Sequence, residues 1–128
     1  MSFKHRHISR VAHVLTVLYA IAIVVFSLLP KGDVPLENVS DKYRHAAAYA
    51  VFALLLSCSF LKLRWWAVPA AFVLATATGI LMELIQPSFG RSRDAMDALA
   101  NAIGAAIGCV AVLAILVVTR PSHVARNT

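Results

Sequence analysis

Four apolar stretches separated by short polar segments set the pattern of this chain. Val11 to Leu29 is a run of 19 residues without a formal charge, closed by Pro30. Ala46 to Leu61 is again uncharged, with His45 at its mouth, and a third run extends from about Trp66 to Ile85, with Pro69 near its start and Pro87 just beyond. The fourth, Ala95 to Val118, ends before Arg120 and Pro121. A spanning helix needs about 20 mostly apolar residues, and each run meets or approaches that length. No period-2 alternation is long enough for a transmembrane barrel.

The pattern predicts an all-α membrane protein of four transmembrane helices in an antiparallel bundle. Residues 1–10 form a basic N-terminal tail, 11–118 the transmembrane domain and 119–128 a short C-terminal tail. A secretory signal has an apolar core of about 7 to 15 residues and a small-residue cleavage site. LLPKGD offers no such site, so the first span is expected to stay.

Composition sharpens the class. Of 128 residues, 60% are apolar and 14% charged, and the mean hydropathy is +0.76. Soluble domains hold about 25% charged residues, so lipid is the solvent for most of this surface. The net charge of +6 comes from basic residues scattered in ones and twos, without the stripe that nucleic acid requires. Read instead as orientation signals, Lys4, Arg6, Arg10, Lys62, Arg64, Arg120 and Arg126 lie on one side, against Lys31, Lys42, Arg44, Arg91 and Arg93 on the other. The larger group marks the cytoplasmic face, which places both termini in the cytoplasm and the two acid-bearing loops outside. Cys58 and Cys109 sit in apolar runs, where a thiol behaves as a small hydrophobe.

Ionisable residues at membrane depth are costly unless partnered or wetted, and they mark functional sites by default. They gather toward one leaflet. His45 opens the second span, Glu83 and Gln86 close the third, and Asp94, Asp97 and Asn101 open the fourth. Asp41, His45 and Tyr49 recur at i, i+4, and Gly79, Glu83 and Gln86 share a helix face. At 1.5 Å rise per residue, Glu83 and Asp97 each lie about 6 Å inside their loops, so the two carboxylates could share one level, with His45 nearby.

Simpler roles compete for some of these residues. Gly104 and Gly108 form a GxxxG pair and Gly79 is a further small residue, so close helix contact is their expected use. Asp94 either caps the fourth helix or belongs to the site. His5, His7, His13 and His123 are read as interfacial or tail residues, and Trp65, Trp66 and Tyr19 as belt or packing residues. An ion-pair network with Lys42, Arg44, Arg91 or Arg93 could lock the helices, which is the structural alternative. A cleft for a polar head group accounts better for so many groups converging from three helices.

Arginine's planar fork suits phosphate and carboxylate, so Arg91 and Arg93 are candidates to hold an anion. An acid paired with a histidine suits general acid–base work, and His45, Glu83 and Asp97 are the catalytic candidates of an enzyme reading. No Walker loop or GxSxG elbow is present. A metal held by those three residues is the lesser alternative, because no HExxH or other fixed ligand spacing occurs; no metal or cofactor is expected.

DKYRHAAAY at 41–49, GILMELIQ at 79–86 and GRSRDAMDALANAIGAAIG at 90–108 together resemble the VanZ-like family. The matching positions are Asp41, Lys42, His45 and Tyr49, then Gly79, Glu83 and Gln86, then Arg91, Ser92, Asp94, Asp97, Asn101 and Gly104. The resemblance implies a small multi-pass protein of a bacterial cytoplasmic membrane. The family takes its name from a member that gives low-level resistance to teicoplanin, which acts at the outer face on cell-wall precursors. The expected function is therefore binding by an outward cleft of Asp41, Lys42, His45, Tyr49, Glu83, Gln86, Arg91, Asp94, Asp97 and Asn101. Its ligand would be an anionic envelope lipid, a lipid-linked wall precursor or an amphiphilic antibiotic. The alternatives are an enzyme acting on such a lipid-linked substrate, and a structural membrane subunit. The bilayer is the only other partner the sequence suggests.

Overall fold

The computed structural model describes residues 3–36 and 38–119. It is all-helical, with four helices: α1 (Phe3–Leu28), α2 (Asp41–Ser59), α3 (Ala67–Ile85) and α4 (Ala95–Val118). Single 3₁₀ segments at Lys31–Asp33, Leu61–Trp66 and Gln86–Phe89 make the connections. The tail segment 120–128, including Arg120, His123 and Arg126, lies outside the described residues.

Among the described residues, three segments are long and apolar enough to cross a membrane: Arg6–Leu28, Leu61–Phe89 and Ala95–Val118. α2, expected as a fourth span, does not reach that threshold. Its first two turns carry Asp41, Lys42, Arg44 and His45, and Asp94, Asp97 and Asn101 supply Lys42 and His45 with the polar partners that lipid cannot. α2 is the central helix, packed against α1, α3 and α4, while α4 also packs on α3. α1 begins ahead of the apolar run. It is helical from Phe3, through the basic segment read as a tail, because no Gly or Pro interrupts the chain before Pro30 and Lys and Arg are good helix formers.

Small residues let the helices meet. A Cβ built on Gly104 would stand 2.1 Å from the Ala46 carbonyl oxygen, and one on Gly108 would stand 2.1 Å from that of Ala50, so these glycines bring the backbones of α2 and α4 into direct contact. On α3, the four-residue repeat Ala67, Ala71, Ala75 and Gly79 is buried throughout. Tyr49, Phe52, Ala53 and Leu56 of α2 fill the centre. Val14, Val73, Ile107 and Val110 face outward, as lipid-facing residues do.

Polar clasps fix the two ends of α1. Near its start, the Ser9 hydroxyl donates to the Ser59 carbonyl at 3.1 Å, and the Thr16 and Ser59 hydroxyls meet at 2.8 Å. Near its end, Gln86 Nε2 donates to the Ser27 carbonyl at 3.1 Å and Arg91 Nη1 to that of Leu29 at 3.3 Å. Trp65 and Trp66, in the turn after α2, are 74% and 72% exposed, a placement suited to interfacial aromatics.

Candidate functional site

The polar residues at the α3–α4 end form two adjoining sites that share His45. The first is a carboxylate cluster. α3 delivers Glu83, 4% exposed, from its last turn, and α4 delivers Asp97, 5% exposed, from its first. His45 enters from the second turn of α2, above Ala46, where Gly104 lets α2 approach α4. One ligand atom from each of His45, Glu83 and Asp97 lies within 4.8 Å of the other two.

Each of the three has a second polar atom held by the protein. His45 Nδ1 lies 2.8 Å from Asn101 Oδ1; an amide oxygen only accepts, so Nδ1 donates, and Nε2 is turned to Asp97 Oδ2 at 3.6 Å. Lys42 Nζ donates to Asp97 Oδ1 at 2.8 Å and to Asp94 Oδ2 at 2.7 Å. The Asp94 backbone N–H donates to Glu83 Oε2 at 3.1 Å, which leaves Glu83 Oε1 buried without a hydrogen-bond partner. Asn101 is itself buried against Gly79, where a Cβ would come within 2.9 Å of its side chain.

Asp94 combines a helix cap with an ion pair. Its Oδ1 accepts from the Met96 backbone N–H at 2.8 Å, capping α4, while Oδ2 takes Lys42. The Lys42 bond, followed by the Met96 bond, holds the Asp94 carboxyl below the usual carboxylate range. The bonds to Asp94 and then Asp97 hold the Lys42 ammonium above the usual lysine range. A depressed carboxyl stabilises the fold above its unfolded value, about 3.9, and loses that contribution as pH falls through its lower folded value. A raised ammonium contributes below about 10.4 and is lost only as pH climbs through its higher folded value. The pair is therefore intact from about pH 5 to 9, and thermal melts should show a loss of stability below about pH 4. Asp94→Asn keeps a capping side chain, so it should retain the neutral-pH fold and reduce the acid-side loss; an unchanged acid limb would show that other carboxyls govern it.

The second site is a groove of about 400 Å³ between α1 and α2, beneath the connecting loop. Its walls are mostly apolar, with Ala22, Ile23 and Phe26 of α1 and Ala47, Ala48 and Val51 of α2 among them. Asp41, Arg44, His45, Tyr49, Gln86 and Arg91 also line it. Arg91, 9% exposed, has its Nε buried without a partner, and so has Arg44. Arg44 pairs with Asp41, which also lies 3.9 Å from Lys31 Nζ. Leu36 on the rim has φ 60°, a left-handed conformation that costs a non-glycine residue about 1 kcal/mol or more.

The ten residues expected to form one cleft are thus divided. Lys42, Glu83, Asp94, Asp97 and Asn101 belong to the cluster, Asp41, Tyr49, Gln86 and Arg91 to the groove, and His45 to both. Arg93, offered beside Arg91 as an anion holder, is exposed and lines neither. Sequence reasoning missed Arg44 as a lining residue, although its place three after Asp41 was a signal. It also missed the α1 wall, whose residues look like any lipid-facing surface.

No protein-family model matches this chain, and neither a curated protein nor a solved structure is significantly similar to it.

Proposed function

We propose that this chain is a VanZ-like multi-pass protein of a bacterial cytoplasmic membrane that binds an anionic amphiphile in the α1–α2 groove. The single observation carrying this reading is the groove's composition: long apolar walls with Arg44 and Arg91 among its lining residues. Its volume of about 400 Å³ falls within the roughly 300 to 1,000 Å³ of ligand pockets. A hydrocarbon chain matches the walls, and a phosphate or carboxylate matches two guanidinium groups, each with a buried Nε that no protein atom satisfies. In this proposal the four helices run antiparallel across the bilayer with both termini cytoplasmic, and the groove's polar end opens outward. Anionic envelope lipids, lipid-linked wall precursors and amphiphilic antibiotics share the required chemistry.

Native mass spectrometry of the protein released gently from its own membranes tests this. The wild type should carry a defined anionic lipid or precursor adduct, and Arg44→Gln/Arg91→Gln should reduce it at least tenfold with folding unchanged. An adduct retained at wild-type level by an equally folded double variant, or no adduct on either protein, would overturn the reading.

A further inference from the structure

The carboxylate cluster has a feature that the groove's ligand does not explain. Two carboxylates, each no more than 5% exposed, converge with an imidazole, and among the described residues the lysine bonded to either, Lys42, reaches Asp97 through Oδ1 alone. Glu83 Oε1 has no donor at all. A buried carboxylate oxygen without a partner bears its full desolvation cost, and here it stands where two other side chains also present uncommitted atoms.

We infer that His45, Glu83 and Asp97 form a binding site for one divalent transition-metal ion. The donor set of one imidazole nitrogen and two carboxylate oxygens suits Zn²⁺ or Mn²⁺ and leaves further coordination positions open. The surroundings supply what metal ligands require. A ligating histidine donates its other ring N–H to an oxygen acceptor, which fixes its orientation, and ligating carboxylates are themselves hydrogen-bonded. Asn101 Oδ1 does this for His45, Lys42 for Asp97 and the Asp94 N–H for Glu83, so the atoms left over are His45 Nε2, Asp97 Oδ2 and Glu83 Oε1. Ligand atoms around a tetrahedral ion at about 2.1 Å stand about 3.4 Å apart. His45 Nε2 and Asp97 Oδ2 are 3.6 Å apart, and a ligand atom from each of the three residues lies within 4.8 Å of the other two, so side-chain adjustment of about 1 Å brings the three residues to that spacing. A dication also matches the formal charge of two carboxylates.

The inference is independent of what occupies the groove, and its test uses metal alone. The protein, purified in detergent and stripped with a chelator, is titrated with Zn²⁺, Mn²⁺ and Co²⁺. One ion per chain should bind, raising the thermal midpoint by about 5 °C or more at saturation, and bound Co²⁺ should give visible absorption bands of a site with nitrogen and oxygen ligands. Glu83→Gln and His45→Ala should lose the bound ion and the shift, while Asp33→Asn, which alters an exposed acid, should keep both. No stoichiometric ion on the wild type would overturn the inference, as would an undiminished shift in folded Glu83→Gln and His45→Ala. Should both variants fail to fold, the wild-type Co²⁺ spectrum decides: bands support the site, and their absence at saturating Co²⁺ refutes it.

Discussion

Replacing Gly104 with alanine should cost this protein about 3 kcal/mol, the upper end of the usual overpacking range, and Gly108→Ala about as much. The obstacle in each case is backbone. A Cβ at 104 meets the Ala46 carbonyl oxygen at 2.1 Å and the Ala46 carbonyl carbon and Cα at 2.8 Å; one at 108 meets the Ala50 oxygen at 2.1 Å and carbonyl carbon at 3.0 Å. No rotamer change relieves these clashes, so the helices must separate along their contact. Against a total stability of about 5 to 15 kcal/mol, the double variant should fail to give a monodisperse protein in mild detergent. Gly32→Ala is the control, because a Cβ there meets nothing within 4 Å; Gly90 is also open but has φ +75°, so Gly90→Ala should cost about 1 kcal/mol from backbone strain alone. Thermal melts and size-exclusion profiles of the five variants measure this order. Equal stability of Gly104→Ala and wild type would mean that α2 and α4 do not touch as described.

The same contact positions the chemistry. Ala46, which Gly104 receives, follows His45 directly in the chain, and Asn101 and Asp97 stand one and two turns from Gly104 on α4. A separation of α2 from α4 therefore moves His45 away from both of its partners. Gly104→Ala should also lose any metal-dependent stabilisation, even under conditions where it remains folded.

Much of this arrangement was legible in the residues. The helices follow from uncharged runs ended by Pro30, Lys62 and Pro87, and the spacing of Asp94, Asp97, Asn101, Gly104 and Gly108 marks one face of α4. The Ala67, Ala71, Ala75 and Gly79 seam was less visible, because alanine is also a common lipid-facing residue and carries no polar signal. The division of the polar residues into two sites was not legible at all. Helical periodicity gives the face a residue occupies, but the partner of Lys42 is set by how α2 and α4 cross, and the sequence does not encode that locally. The α1 wall of the groove was hidden for a related reason. Ile23 and Phe26 differ from their lipid-facing neighbours only in where α2 and the loop carrying Leu36 lie.

The opposite wall of the groove, on α2, yields the sharpest discrimination between groove and cluster. Ala47 lies on the exposed side of α2 and lines the groove. Its replacement by tryptophan should therefore occupy ligand space without disturbing the core, and binding of the amphiphile should fall more than tenfold, about 1.4 kcal/mol. The loss should extend to amphiphiles of any head group, because the obstruction is one of shape. Arg44→Gln/Arg91→Gln should instead lose the preference for anionic head groups while keeping apolar chain contact. Ile80→Trp, on an exposed position of α3 outside the groove, should change neither. Competition between anionic and zwitterionic lipids on each variant, read by native mass spectrometry, separates the two effects. Ala47 belongs to no part of the carboxylate cluster, so Ala47→Trp should still gain thermal stability from added metal. Loss of both responses in a folded Ala47→Trp protein would mean that groove and cluster act as one site joined through His45; retention of the lipid adduct would place the ligand elsewhere.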